Sequence, residues 1–272
     1  MTKASKIITG NEIHTVQFHV YGRMLVTHSN NRSTIHRNSS KKERFLIEPR
    51  PRRPVRSFVR REGRMTTAQT RALEELSSVY GVPESPEMFD VGALFSTYRP
   101  ITLEIGFGDG QHLQQLAADH PEQGFIGIEA YRPGIGRLLH GIADEELSNL
   151  RVLIGDAEEI VPRRFPRCSL QHILVLFPDP WPKKRHHKRR LLSTEFLEKL
   201  SMKLTTDGQV SIATDCADYA ADIELSIEKT GNLQLLATNG GKTAWSRSTV
   251  TKYERRAQRL GHITHEIRAA RC

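Results

Sequence analysis

The ten residues ITLEIGFGDG, at positions 101–110, predict a buried strand that turns tightly into a helix. Glycines at 106, 108 and 110 let the backbone turn and approach a ligand closely before the helix begins. A dinucleotide-binding loop of the form Gly-x-Gly-x-x-Gly needs a small residue at the next position, where this chain has Gln111. The stretch therefore predicts a strand-to-helix turn and weakens an interpretation as an NAD site.

Strands and helices alternate downstream of this stretch. The sequence predicts strands over 101–105, 124–128, 151–154, 171–177 and 209–213, helices near 109–119, 132–142, 193–204 and 217–229, and candidate strands near 232–237 and 262–269. An amphipathic helix is predicted ahead of them over 67–80, with Thr66 or Thr67 as its N-cap. Such alternation requires crossover connections, so we expect an α/β fold with a doubly wound, mostly parallel sheet. Ligands of such sheets bind at the carboxyl ends of the strands.

An acidic residue lies at or beside the end of each of four predicted strands, namely Glu104, Glu129, Asp156 and Asp179. A carboxylate at Glu129 can accept hydrogen bonds from both hydroxyls of an adenosine ribose, which suits NAD and S-adenosylmethionine equally. Asp156 can accept from an adenine amino group, and the alternative that it caps the next turn is about as strong when this residue is considered alone. The series of four indicates a cofactor pocket better than any single acid does.

The six residues FPDPWP, at positions 177–182, are the most specific segment of the chain. Proline fixes φ and restricts the residue before it, so we expect Phe177 and Asp179 to be extended and the Asp179 carboxylate to be held rigidly. Trp181 offers a stacking face for a base, and the basic residues 183–190 follow it directly. The alternative is an ordinary rigid turn with Trp181 in the core.

Positive charge is concentrated in two segments of the sequence. The chain carries a net charge of +9, to which residues 41–64 contribute +7 and residues 183–190 contribute +6. Concentrated charge attracts polyanions, so nucleic acid is the leading expected partner and an anionic membrane surface the second. No apolar stretch is long enough to cross a bilayer and no secretory signal is evident, so we expect a cytoplasmic protein. The three cysteines are widely spaced and predict neither a disulfide nor a metal site.

Several separate motifs, in order and spacing, resemble the bacterial type of tRNA (guanine-N7-)-methyltransferase. They are RSFVRREGR (56–64), LEIGFGDG (103–110), IGIE (126–129), FPDPWPKKRHHKRR (177–190), ATD (213–215), TKYER (251–255) and RLGH (259–262). The resemblance extends from about residue 57 to the C-terminus. It departs from the family at Cys216, where an aromatic residue usually follows the Thr-Asp pair, and this puts the local packing in doubt.

The resemblance implies a Rossmann-like methyltransferase that transfers a methyl group from S-adenosyl-L-methionine to N7 of a guanine in the variable loop of tRNA. It implies that the four strand-end acids contact the cofactor and that Asp179 is also the catalytic residue. It assigns the substrate guanine to Lys183, Asp215, Thr251, Lys252, Tyr253 and Glu254. It assigns RNA contacts to Arg185, His186, His187, Lys188, Arg189 and Arg190. No metal is expected.

On this interpretation the chain has a poorly ordered extension over residues 1–40, a basic arm over 41–65 and a methyltransferase domain over 66–272 that begins with a helix. Two other functions fit parts of the sequence. Exocyclic-amine nucleic-acid methyltransferases carry a similar Asp-Pro-Pro-aromatic motif, although here only Pro180 separates Asp179 from Trp181. A catalytically idle RNA-binding protein that keeps the fold would retain the same basic segments.

Overall fold

The computed structural model describes residues 3–9, 12–18, 57, 63–95, 100–237 and 251–272. The chain divides into two units, residues 1–52 and residues 53–272. In the first unit, strands β1 (Lys3–Thr9) and β2 (Glu12–Phe18) pair in an antiparallel ladder. Both strands lie within residues 1–40, for which the sequence predicted a poorly ordered extension, and that assignment stays a prediction. The remainder of that extension, and most of the predicted basic arm, lie outside the described residues.

A seven-stranded sheet forms the centre of the second unit. Its strands are β3 (Ile101–Ile105), β4 (Gly124–Glu129), β5 (Leu150–Ile154), β6 (Leu170–Leu176), β7 (Leu204–Thr214), β8 (Leu233–Leu235) and β9 (His265–Arg271). They are ordered β5-β4-β3-β6-β7-β9-β8, and β9 runs in the opposite direction to the other six strands of this sheet. The strand order reverses between β3 and β6, so a crevice is expected above the carboxyl ends of these two strands.

Helices cover both faces of this sheet. They are α1 (Thr67–Tyr80), α2 (Gln111–Asp119), α3 (Arg132–Asp144), α4 (Ala157–Arg164), α5 (Thr194–Ser201), α6 (Ala217–Thr230) and α7 (Lys252–Arg259), with 3₁₀ turns at Gly92–Leu94 and Lys184–Arg189. One core cluster joins α1, α2 and α3 to the sheet, and a second joins α4, α5 and α6 to its other face. The predicted doubly wound, mostly parallel α/β fold is therefore confirmed.

Helix α1 begins as the sequence predicts. The Thr66 hydroxyl accepts from the Gln69 amide at 3.2 Å, and the Gln69 side chain accepts from the Thr66 amide at 2.9 Å. This reciprocal pair is a capping box, and it satisfies two amides that a helix start leaves without partners. The cap therefore fixes Thr67 as the first residue of α1.

Two helices were not predicted from the sequence, and each lacks a strong apolar pattern. Helix α4 carries Pro162 in its interior and charged residues at most other positions. Helix α7 reads KYERRAQR, and Ala257 is its one buried residue among those whose side chains are described. Strand β7 begins at Leu204, five residues ahead of the prediction, because Leu204 pairs with Leu170 across an irregularity in register. None of the helices in the described part of the chain has both the length and the apolar character needed to cross a bilayer.

His172 makes the stability of this sheet depend on pH. It lies on β6 between Thr102 of β3 and Gln209 of β7, and burial lowers the pKa of its imidazole from 6.5 to about 4. In the unfolded chain His172 is protonated below about pH 6.5, whereas in the folded chain it is protonated only near pH 4. Between these values the unfolded state binds more protons, so lowering the pH favours unfolding. We expect the free energy of unfolding to fall across this window, and His172→Gln to make the fall shallower.

Urea unfolding at a series of pH values measures this effect. His140→Gln is the matched control, since His140 is an exposed imidazole on α3. Identical pH slopes for the wild type and His172→Gln would contradict the assignment to His172.

Candidate active site

The glycine-rich loop after β3 has a backbone that only small residues fit. Gly106, Gly108 and Gly110 all have positive φ, at 73°, 62° and 77°. A Cβ on Gly110 would lie 2.7 Å from the Cβ of Leu138, so α3 packs directly against the turn. The Gly106 amide donates to the carbonyl of Ile128 on β4 at 2.8 Å, which ties the loop to the next strand. The loop is thus fixed on both sides before any ligand binds.

Glu129, the last residue of β4, braces this loop with its carboxylate. Oε2 accepts from the Gly108 amide at 2.8 Å, and Oε1 accepts from the amides of Ala130 and Tyr131 at 2.6 and 2.9 Å. Burial raises the pKa of Glu129, the three amide bonds oppose that shift, and the negative charge of Asp179 adds to it. The side chain is therefore both a structural brace and a group whose ionised form would gain from a cation or a hydroxyl donor nearby.

Asp156 lies two residues after β5 and is the N-cap of α4. Its Oδ1 accepts from the Glu158 amide at 3.0 Å. The same residue also lines the cleft described below. The two interpretations of Asp156 in the sequence, as a helix cap and as a ligand-facing acid, are therefore compatible.

The turn after β6 carries Asp179 between two residues in the left-handed region of φ. Phe177 and Trp181 have φ values of 52° and 44°. The prediction that Phe177 is extended is therefore wrong, although the rule for residues before proline favours that conformation. The Phe177 amide donates to the Ala213 carbonyl of β7 at 2.7 Å, so the sheet holds this residue while the chain leaves the strand. Non-glycine residues with such φ values are strained and occur mostly where surrounding contacts enforce them.

Three contacts locate Trp181. Its Nε1–H donates to the carbonyl of Ser57 at 3.0 Å. The guanidinium of Arg189 lies 4.8 Å from the centre of its ring, and the His186 ring meets it edge-on at 5.9 Å. Trp181 is half-buried and is therefore neither a core residue nor a fully open stacking platform.

A cleft of about 370 Å³ opens at the carboxyl ends of β3, β4, β5 and β6. It lies at the reversal of strand order, where an open parallel sheet is expected to bind its ligands. Its walls include the glycine-rich loop, Glu129, Asp156 and Asp179, together with Ser57 and Tyr131. Three of the four predicted strand-end acids thus meet in one cavity, whose volume lies within the range of roughly 300–1,000 Å³ that small-molecule sites occupy.

Glu104, the fourth acid, lies behind the cleft. It is 2% exposed, and its Oε2 is 3.0 Å from Nδ1 of His112 in the first turn of α2. His112 also borders a cavity of about 40 Å³, large enough for a water molecule. Glu104 and His112 therefore join β3 to α2 beneath the glycine-rich loop.

The basic run after Trp181 has two kinds of side chain. Lys183, Arg185, Lys188 and Arg189 are exposed. His187 is different, since its Nε2 is buried and lies 3.8 Å from Asp218 of α6. Partial desolvation and the surrounding cations lower the pKa of His186. The run is therefore mostly a solvent-facing cationic surface with one edge packed against α6.

Arg190 ends this run and points inward, with 5% of its side chain exposed. Its Nε donates to the Pro180 carbonyl at 3.0 Å, and its two terminal nitrogens donate to Asp218, at 2.6 Å, and to Asp222. Its guanidinium also lies 4.8 Å from the centre of the Tyr219 ring. The prediction that Arg190 contacts RNA conflicts with this placement, because its charge is already neutralised by two carboxylates.

The last group of predicted residues lies around β7 and α7. Asp215 follows β7, and its Oδ2 is 3.3 Å from Nδ1 of His262. Thr251 is the N-cap of α7, where its hydroxyl accepts from the Glu254 amide at 3.1 Å. Arg255 of the same helix donates to the Gln111 side chain at 3.3 Å, which brings α7 beside the start of α2. The side chains of Lys252 and Tyr253 lie outside the described residues.

Comparison with known proteins gives the relationships of the chain. The model of a family described as putative methyltransferase matches residues 98–267. A tRNA (guanine-N(7)-)-methyltransferase of Nitrosococcus oceani is 45% identical over 219 residues, which cover 80% of this chain and 92% of that protein. The enzyme of the same name from Escherichia coli K12 is 44% identical over 78% of this chain and 90% of its own length. The chain belongs to the tRNA (guanine-N7-)-methyltransferase family.

Among solved structures, the 16S rRNA methyltransferase KamB is similar at a TM-score of 0.49 and 18% identity, covering 68% of this chain and 94% of that one. The aminoglycoside resistance methyltransferase NpmB1 has a TM-score of 0.46 and 17% identity, with 66% and 91% covered.

Several residues in or around the cleft were not predicted from the sequence as site residues. Ser57 lies in the predicted basic arm, and only the fold brings its carbonyl to Trp181. His112 and Arg255 are recognised only through their partners, Glu104 and Gln111. Among the described residues, His187, Asp218 and Asp222 lie close enough together outside the cleft to share a metal ion, but Arg190 contacts both carboxylates.

The two roles of Asp156 can be separated by substitution. Asp156→Ala removes the oxygen that caps α4 and should lower the free energy of unfolding by about 1 kcal/mol. Asp156→Ser keeps a capping oxygen and should stay close to the wild type. Urea unfolding of the three proteins measures this difference, and an equal loss in both variants would show that the cap contributes nothing.

Proposed function

We propose that the protein transfers a methyl group from S-adenosyl-L-methionine to N7 of a guanine in the variable loop of tRNA. The observation that carries this proposal is the cleft in which Glu129, Asp156 and Asp179 meet directly beside an exposed cationic run. Relatives at 41–45% identity bear the name of this activity. The motif resemblance supplies the variable loop as the target.

The residues of the cleft fit an adenosyl cofactor. Gly106 has no atom within 4 Å of where a Cβ would lie, so the loop leaves open space on that side. Ionised carboxylates offer about four acceptor positions, and Glu129 uses three of them on backbone amides. The remaining position on Oε2 suits one ribose hydroxyl rather than the two that the sequence suggested. Asp156 lies after the neighbouring strand, where its second oxygen would accept from the adenine amino group.

Guanine N7 bears an exposed lone pair and no hydrogen. When bound, S-adenosyl-L-methionine supplies an electrophilic methyl group on a sulfonium centre. The residues of this chain therefore need to place N7 rather than deprotonate it. Holding reacting atoms about 3 to 3.5 Å apart and in line accounts for most of the acceleration in reactions of this kind.

Carboxylates near the guanine complete the proposed mechanism. Methylation at N7 makes the ring cationic, so Asp179 and Asp215 stabilise the developing charge or accept from N1–H and N2–H of the base. Asp179 is exposed on a constrained turn, which suits a group that orients its partner. Lys183 and the residues Thr251, Lys252, Tyr253 and Glu254 are proposed to hold the guanine, as the resemblance implies.

The exposed cations after Trp181 are proposed to hold the tRNA backbone. Arg185, Lys188 and Arg189 lie on the solvent-facing side of the run, and His186 and the half-buried His187 lie among them. Arginine and lysine on such a surface bind phosphates with little regard to sequence. The target guanine must leave its stack to reach the cleft, at a cost of a few kcal/mol. Only the face of Trp181 opposite Arg189 is proposed to stack on a base.

Incubation of unmethylated tRNA with the protein and S-adenosyl-L-methionine tests this function. Borohydride and aniline cleave RNA at 7-methylguanosine, so we expect cleavage at a single guanine of the variable loop. Methylation at an exocyclic amine would leave the strand intact and give a methylated base of another kind. Calorimetric titration with the cofactor alone tests the alternative of a catalytically idle RNA-binding protein. Such a protein would release no heat of binding.

Substitution of Asp179 tests its role. Asp179→Asn keeps the shape of the side chain and removes its charge, so kcat should fall by about 100-fold without a new ionisation in the pH–rate profile. Asp207→Asn is the control, because it removes an exposed charge near the start of β7, outside the residues that line the cleft. If the wild-type pH–rate profile falls at low pH and Asp179→Asn removes that fall, with the loss of activity confined to higher pH, Asp179 would instead be a base.

A further inference from the structure

We propose that Arg190 is a positioning residue, which fixes the turn carrying Asp179, and that it does not contact RNA. This inference rests on the proposed function. It separates the last residue of the cationic run from Arg185, Lys188 and Arg189, which are more exposed. It also gives a function in catalysis to Asp218 and Asp222, two residues of α6 that the sequence did not single out.

The contacts of Arg190 connect the turn to α6. Its Nε donates to the carbonyl of Pro180, the residue that directly follows Asp179. Its terminal nitrogens donate to Asp218 and Asp222, one helical turn apart on α6. A planar guanidinium can make all three contacts at once because its donors form a rigid fork. The side chain therefore works as a bracket between Pro180 and the helix.

The turn needs such a bracket because its backbone is strained. Phe177 and Trp181 both have positive φ, and a proline at 180 has no amide hydrogen to donate. The Phe177 amide is held by Ala213, and the Trp181 ring is held by Ser57. Arg190 supplies the contact between these two ends, at the carbonyl next to Asp179. Residues held in sparsely populated conformations persist only when their surroundings determine them fully.

A second connection to α6 lies two residues beyond Arg190. The Leu192 amide donates to the hydroxyl of Tyr219 at 3.1 Å, and the Arg190 guanidinium lies over the ring of the same tyrosine. Tyr219 is fully buried, and burial raises the pKa of its hydroxyl to about 12. Helix α6 thus fixes both the start and the end of the segment 190–192, which makes it a rigid support.

The charge balance argues against a phosphate contact. Asp218 and Asp222 are themselves 67% and 49% exposed at their side chains, so a phosphate that approached Arg190 would meet these two negative charges first. The group formed by one guanidinium and two carboxylates carries a net negative charge. By itself such a group offers a phosphate no net positive charge to bind.

Kinetic comparison of Arg190 with Arg189 tests the proposal. Arg190→Lys keeps the positive charge but cannot span three acceptors, so kcat should fall by at least about 10-fold because Asp179 is misplaced. The KM for tRNA should stay within about two-fold of the wild type, and its dependence on salt should not change. Arg163→Lys, at an exposed arginine of α4 outside the cleft lining, is the control and should remain close to the wild type. Arg189→Met should raise KM and reduce the salt slope by about 1.

The opposite pattern would overturn the proposal. If Arg190→Lys were fully active while Arg190→Met raised the KM for tRNA and reduced the salt slope, Arg190 would be an ordinary phosphate contact. A wild type that failed to methylate tRNA would instead refute the proposed function, so the two failures can be told apart. Thermal melting establishes that each variant is folded.

A second set of variants decides the question if Arg190 variants do not fold. The double variant Asp218→Asn with Asp222→Asn removes the bracket's anchors and leaves every cation of the run in place. Positioning predicts that kcat falls by about 10-fold even though RNA binding is unimpaired. The control is Glu224→Gln with Glu228→Gln, the same charge change at exposed positions of α6, which should leave kcat unchanged. Equal kcat values in both double variants would refute the proposal.

Discussion

Phe177 and Trp181 both have positive φ, and the geometry of the whole cleft depends on the contacts that hold them there. Asp179 lies between them, at the end of the central strand β6. A strained turn stays in one conformation only if its surroundings leave it no other, and here β7, Ser57 and Arg190 each fix a different point of it. The acid is therefore placed by the fold before a substrate arrives.

The cleft combines acids that serve the fold with acids that face a ligand. Glu129 supports three backbone amides, and Asp156 caps α4, yet both line the cavity with Asp179. Burial and the nearby charge of Asp179 raise the pKa of Glu129, which means that the surroundings of this side chain disfavour its ionised form. A ligand that brings hydroxyl donors and a positive sulfonium centre relieves this cost. The same logic favours a guanine that becomes cationic on methylation.

Three of the four acids that the sequence singled out line one cleft, because parallel strands bring their carboxyl ends to the same edge of the sheet. Sequence-based prediction failed where the position of a side chain depends on a partner that is distant in the sequence. Arg190 belongs to a run of cations with no periodic pattern, and its direction is set by acids 28 and 32 residues away. Phe177 was expected to be extended because proline follows it, but its bond to β7 overrides that preference. Glu104 lies on the predicted strand, but its carboxylate contacts His112 and lies behind the cleft.

The central claim is that the turn over residues 177–181 is held in its working geometry in the free protein. A crystal structure of the protein with S-adenosylhomocysteine tests it directly. The account predicts positive φ at Phe177 and Trp181, Cα positions within about 1 Å of those described, and an Asp179 carboxylate that faces the ligand. A turn that relaxes to negative φ at both residues, or an Asp179 that moves away from the bound ligand, would contradict it.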